Sequence, residues 1–141
     1  MKHLEISICS WNVNGIASLC KSEGGLAKAL EKARGDIICF QETKIASPLD
    51  WYSCVSDNYF SFFSLCRPSR AYSGTATFVK KQFPVFKAQD GLTGQYCKHQ
   101  EDLILTIAAS EVGMSKDELC RMDSEGRCVM TGNTLSYCCY E

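Results

Sequence analysis

Leu4-Glu5-Ile6-Ser7-Ile8-Cys9-Ser10 alternates apolar and polar side chains, the period of a half-buried strand, and Gly15 closes it. Leu26, Ala29, Leu30 and Ala33 then recur at i, i+3, i+4 and i+7, with Lys28, Glu31 and Lys32 between them. That stripe predicts an amphipathic helix, with Arg34 in its last turn and Gly35 at the left-handed cap. Ile37-Ile38-Cys39-Phe40 has no polar face, so a central strand covered on both sides is predicted. Pro48 opens a short helix to about Val55, and the aromatic run Tyr59–Leu65 reads as a strand. Arg67–Gly74 is a turn-rich loop, Thr75–Val79 a strand, and Pro84-Val85-Phe86 begins another that ends at Asp90-Gly91. Signals are weak from Gln95 to Gly113. Ser115-Lys116-Asp117-Glu118 is a capping box opening a helix through Met122, and Arg127–Thr131 is a strand.

This order of strands and helices predicts an α/β layered domain. It also reads as unfinished, because bulky residues fall on both faces of Tyr59–Leu65 while one layer of short helices covers one side of a sheet. The expected organisation is a partial domain over residues 1–131 and a divergent tail over 132–141.

Composition changes little. The 141 residues are 45% hydrophobic and 22% charged, with a net charge of −1. A global basic footprint is absent, so any nucleic-acid contact must be a local patch. No apolar run approaches the roughly 20 residues of a membrane span. The first residues carry no apolar signal region, which leads us to expect an intracellular protein without membrane contact. The ten cysteines show no C-x-x-C pair. They argue for reduced, largely buried thiols rather than zinc ligands or disulfides. Arg34-Gly35-Asp36 spells an adhesion tripeptide but reads as a helix cap leading into a strand.

The candidate chemistry sits where two predicted strands end, at Ser10-Trp11-Asn12-Val13-Asn14-Gly15 and Phe40-Gln41-Glu42-Thr43-Lys44. A strand–helix–strand unit of roughly 30 residues brings such ends side by side. An amide and a carboxylate would then share a pocket suited to a hard cation. Arg67, Arg70 and Tyr72 are expected to form a local basic-aromatic patch for a sugar-phosphate chain.

Ser-Trp-Asn-x-Asn-Gly, Gln-Glu-Thr-Lys, Tyr-Ser-Gly-x-Ala and Asp-Ser-Glu-Gly-Arg follow one another between about residues 5 and 131. This series resembles the exonuclease III-type apurinic/apyrimidinic endonuclease branch of the endonuclease/exonuclease/phosphatase superfamily. The resemblance implies a four-layer α/β sandwich, of which this chain would be the amino-terminal half, with one mixed sheet, flanking helices and the second sheet missing. It implies a Mg²⁺-dependent (or Mn²⁺-dependent) DNA phosphodiesterase of base-excision repair in the nucleus, acting on abasic or 3′-blocked DNA. Asn12 and Glu42 match the family's metal-site residues, and Asn14 stands where relatives often have aspartate. Lys44 matches a lysine near the scissile phosphate. Tyr72, Ser73 and Gly74 match a loop reaching the DNA backbone, and Arg127 the Glu-Gly-Arg turn.

Departures from the family are equally specific. No Asp-x-Asn occurs in the chain, and Ser56-Asp57-Asn58 lacks the histidine of the family's late Ser-Asp-His. Tyr137 follows Thr131 too closely to inherit the family's tyrosine. The zinc-finger and sliding-clamp-binding tail found in one type of the family's enzymes is expected to be absent here. A chain with ligands but no water-activating group should be weakly active or inactive. The other readings are a non-enzymatic fragment that binds DNA or a protein, a phosphoinositide or sphingomyelin phosphodiesterase, and a cysteine-rich redox protein.

Overall fold

The structure, a computed structural model, describes residues 5–45, 54–69, 71–97, 103–105, 109–133 and 137–140. The helix expected near Pro48, and Arg70, lie outside these residues. β1 (Ile8–Asn12) is followed by α1 (Ile16–Glu23), α2 (Leu26–Ala33) and β2 (Ile37–Gln41). β3 (Tyr59–Ser64), β4 (Thr75–Lys80) and β5 (Val85–Asp90) come next, then α3 (Ala109–Val112), α4 (Lys116–Ser124), β6 (Val129–Asn133) and β7 (Tyr137–Tyr140).

Two sheets result. The first has the order β1-β2-β4-β3, with β1 and β2 parallel and the remaining pairs antiparallel. Parallel β1 and β2 require a crossover, and the α1–α2 pair provides it. The second sheet, β5-β6-β7, is antiparallel. It corrects the expectation that a second sheet is missing. β5 lies against β3, and β6 against β4 and β3. The inner face of the first sheet is therefore largely covered. Exposure remains at its edges: Ile8, Ser10 and Asn12 of β1, with Ile8 52% accessible, and Phe60 of β3. The α/β class with a mixed sheet and flanking helices holds. The expected boundary at residue 131 falls inside β6.

The core explains the strand assignments. Ile38, Phe40, Ala76 and Phe78 face the helices and pack on Ile16, Leu19, Leu26, Ala29 and Leu30. Phe78 meets Phe40 and Phe63 edge-on, with ring centroids 5.3 Å and 5.9 Å apart. Phe40 and Phe78, both fully buried, each contribute about 2–3 kcal/mol by burial. On the other face Ile37, Cys39 and Val79 cluster with Phe83. Of Cys9, Cys39 and Cys128, read from their apolar runs as small core residues, Cys39 and Cys128 are buried and Cys9 is only partly so; Cys54 is buried as well.

One local detail differs from the sequence reading and two follow it. The left-handed cap of α2 is Arg34, at φ 54°, rather than Gly35. Gly35 is required for close approach, since a Cβ there would lie 2.7 Å from the Ile37 carbonyl oxygen. Asp36 then ties the chain down. It accepts from the Ser7 backbone N–H (2.9 Å), the Ser7 hydroxyl (2.7 Å) and Lys80 Nζ (2.9 Å). These bonds, the Ser7 backbone bond foremost, lower its pKa to about 2. The Arg-Gly-Asp tripeptide is thus built into the fold, as the cap reading expected. At α4 both arms of the predicted capping box form, between Ser115 and Glu118.

Candidate metal and phosphate site

The site begins where β1 and β2 stop. Asn12 pairs with Gln41 in register, and beyond them the two segments continue side by side. Val13 N–H donates to the Gln41 carbonyl (3.0 Å), Gly15 N–H to that of Glu42 (2.7 Å) and Ile16 N–H to that of Thr43 (2.9 Å). A third segment completes the frame. Thr43 N–H donates to Gly74 O (3.0 Å) and Lys44 N–H to Ser73 O (2.9 Å). Asn14, Glu42, Lys44, Ala71 and Ser73 all take left-handed φ values between 48° and 56°. Each costs about 1–2 kcal/mol in a residue with a Cβ. The cross-segment hydrogen bonds hold the strain in place, and its concentration here marks a built site.

Asn12, Gln41 and Glu42 line a cavity of about 430 Å³ together with Ser73, Gly74, Thr75, Leu92, Met122, Asp123, Arg127 and Cys128. The expected meeting of Asn12 and Glu42 therefore occurs. Lys44 Nζ donates to Asn14 Oδ1 at 2.5 Å and stands 3.6 Å from Glu42 Oε2, with both charged side chains about a third exposed. Asn12 Oδ1 accepts from Asn14 N–H at 3.1 Å, a local turn bond that leaves it a second lone pair.

Asp123 was legible only as part of a motif. It is 6% exposed. Oδ1 accepts from Leu92 N–H (2.8 Å), and Oδ2 from Thr93 N–H (2.7 Å) and the Thr93 hydroxyl (2.6 Å). Its carboxylate is committed to holding the 91–93 turn against α4 and is not free to activate water.

The basic residues separate into two groups. Arg127 donates to Glu125 Oε2 (2.6 Å) and to the exposed Tyr72 hydroxyl (3.3 Å), and the Glu125 bond raises its pKa. Arg67 instead donates to Asp90 Oδ2 (2.6 Å) and stacks 3.5 Å from the centre of the Tyr96 ring. Asp90 also accepts from the Ser64 hydroxyl (2.5 Å), and Arg67 N–H donates to Ser124 O (2.8 Å). Tyr72 is thus partnered by Arg127, while Arg67 staples the two sheets and α4. Ser73 is buried and meets the site through its backbone.

The donor set suits one hard cation. It offers one carboxylate and amide oxygens, beside the buried, unpartnered Thr75 hydroxyl. Mg²⁺ accepts few protein oxygens because it retains several waters. Among the described residues no three His, Cys, Asp or Glu side chains cluster, as a zinc site or a carboxylate cage would need.

The sequence profile of the Endonuclease/Exonuclease/phosphatase family matches residues 9–113. The chain belongs to that family. Within it the chain is 35% identical over 134 residues to the Xenopus laevis protein named DNA-(apurinic or apyrimidinic site) endonuclease 2, covering 94% of this chain and 25% of the relative. It is 31% identical over 142 residues to the Homo sapiens protein of the same name, covering 92% and 27% respectively. The crystal structure of the Xenopus laevis APE2 catalytic domain superposes with a TM-score of 0.74 at 36% identity, over 89% of this chain and 38% of that one. The chain thus spans about a quarter of the length of these curated relatives and part of the Xenopus laevis catalytic domain.

Proposed function

We propose that this chain carries the metal- and phosphate-positioning part of a Mg²⁺-dependent DNA phosphodiesterase, acting at abasic or 3′-blocked sites in base-excision repair in the nucleus. The observation that carries this reading is the convergence of Asn12 and Glu42 at paired strand ends, with Lys44 at their side. Similarity to proteins named DNA-(apurinic or apyrimidinic site) endonuclease 2 supports the substrate class.

In this reading Glu42 and Asn12 hold Mg²⁺, or Mn²⁺ in its place. The ion, when bound, neutralises charge on a phosphate oxygen and on the departing alkoxide. Lys44 places a point charge beside the same phosphate. The left-handed Glu42 and Lys44 backbones, tied to Gly74 and Ser73, fix both head groups before substrate arrives. Tyr72, Ser73 and Asn14 border the path of the sugar-phosphate chain. Arg127, beside Tyr72, adds charge there that the sequence assigned to Arg67 and Arg70.

A second reading rests on a specific observation. Asp123, which lines the same cavity as Glu42, spends both oxygens on the 92–93 backbone and Thr93. A polypeptide of these 141 residues alone would then bind DNA or a protein partner and cleave weakly or not at all.

A chimera tests both. Residues 5–131 replace the matching segment of the Xenopus laevis relative, and incision of an abasic-site duplex with Mg²⁺ is compared with the same chimera carrying Glu42→Gln. Glu42-dependent incision by the chimera, at least about a hundredfold above the variant, is expected. Equal rates would refute the metal assignment. Strong Glu42-dependent cleavage by residues 1–141 alone would refute the second reading.

A further inference from the structure

We infer that Asn14 is a positioning residue: its side-chain oxygen restrains the Lys44 ammonium, and by doing so sets how tightly Glu42 takes a divalent cation. The inference rests on the reading of Glu42 as a cation ligand.

The geometry runs against simple attraction. An ammonium between a carboxylate and a neutral amide is drawn more strongly to the carboxylate. Here it lies 2.5 Å from Asn14 Oδ1 and 3.6 Å from Glu42 Oε2. The backbone decides the outcome. Asn14 is held at φ 48° by the bond from its N–H to Asn12 Oδ1, and the next residue, Gly15, is tied to the Glu42 carbonyl. Lys44 is held at φ 52° by its bond to Ser73 O. With both backbones pinned, Asn14 Oδ1 sits where the lysine reaches it first.

Two consequences follow. An ammonium resting directly on Glu42 would compete with a divalent cation for the same oxygens. Held by Asn14, it leaves those oxygens available and stays close enough to meet a phosphate. The neutrality of Asn14 matters too. A carboxylate at that position would become a ligand itself, whereas the amide, engaged through Oδ1, acts on the cation through Lys44.

A double-mutant cycle read by Mn²⁺ binding, from electron paramagnetic resonance titration of free Mn²⁺, separates this from a direct ligand role. Glycine is the replacement at Asn14 because φ 48° suits it without strain. Asn14→Gly should weaken Mn²⁺ binding about three- to tenfold, by freeing Lys44 to fall on Glu42. Lys44→Gln should tighten it by a similar factor. In the Lys44→Gln background, Asn14→Gly should change binding by less than about twofold. Equal weakening in both backgrounds would make Asn14 a ligand in its own right and overturn the inference, as would no weakening in either. Asn14→Ser, which keeps a polar turn residue but lacks the reach to Lys44, must reproduce the result, with melting temperatures confirming both folds. If Glu42→Gln leaves Mn²⁺ binding intact, the underlying reading fails and this inference with it. If binding depends on Glu42 but the cycle shows no coupling, only the inference fails.

Discussion

Gly74→Ala should damage the site and the fold together. Gly74 sits at φ 88°, and a Cβ there would lie 2.5 Å from Thr43 Oγ1. Neither partner has an easy escape. Thr43 is β-branched, stiff at χ1 and 1% exposed, and its N–H is bonded to the Gly74 carbonyl. The left-handed backbone contributes about 1–2 kcal/mol of strain in alanine, and the clash about 1–3 kcal/mol more. A total near 3 kcal/mol corresponds to a fall in melting temperature of about 10 °C at this chain length. Relief of the clash must move the segment bearing Glu42 and Lys44, so Mn²⁺ affinity should fall as well. Adding Thr43→Ala removes the clashing oxygen and leaves the backbone strain. The double variant should therefore recover about half of the lost stability in thermal denaturation. A Gly74→Ala protein that melts within 2 °C or so of the parent would refute the claim that these three segments form a rigid frame.

Three further outcomes follow from the same geometry. Asp123→Ala strands the Leu92 and Thr93 N–H groups and should cost about 2–4 kcal/mol in urea denaturation, with amide exchange accelerating first at residues 92 and 93. Because the Asp36 pKa is depressed to about 2, its stabilisation is complete above the unfolded value near 4 and lost as pH falls from about 4 to about 2. Asp36→Asn should remove about 1–2 kcal/mol of that acid-side dependence, solvent screening included, and an unchanged pH–stability profile would count against the Ser7–Lys80 clamp. Arg127→Gln should weaken binding to nicked DNA and flatten its salt dependence, while Arg67→Gln should lower stability with little effect on that slope. The reverse pattern would return Arg67 to the DNA-facing surface.

What could be read from the chain followed short-range physics. The stripe of α2, the unbroken apolar run of β2 and the Ser115–Glu118 box are local patterns, and each formed where expected. So did the meeting of Asn12 with Glu42, because a parallel pair joined by one crossover leaves few alternatives. α1 escaped notice because only Ile16 and Leu19 of its eight residues are buried, and glycines flank it on both sides. The second sheet escaped because its existence depends on antiparallel pairings between β5 and β6 across some forty residues, which no local pattern encodes. The same limit applies to Arg67: its partner Asp90 is 23 residues away, so only the fold reveals that its charge is already spoken for. Asp123 stood inside a recognisable motif, yet that both its oxygens hold the 92–93 turn could not be read before the turn was placed.

In the proposed function Glu42, with Asn12, holds one hard divalent cation that keeps most of its own waters. Water-proton relaxation enhancement during Mn²⁺ titration reads occupancy and bound water at once. A single Glu42-dependent site with several exchangeable waters on the ion is expected, abolished by Glu42→Gln. Binding that survives Glu42→Gln, or an ion stripped of exchangeable water, would contradict it.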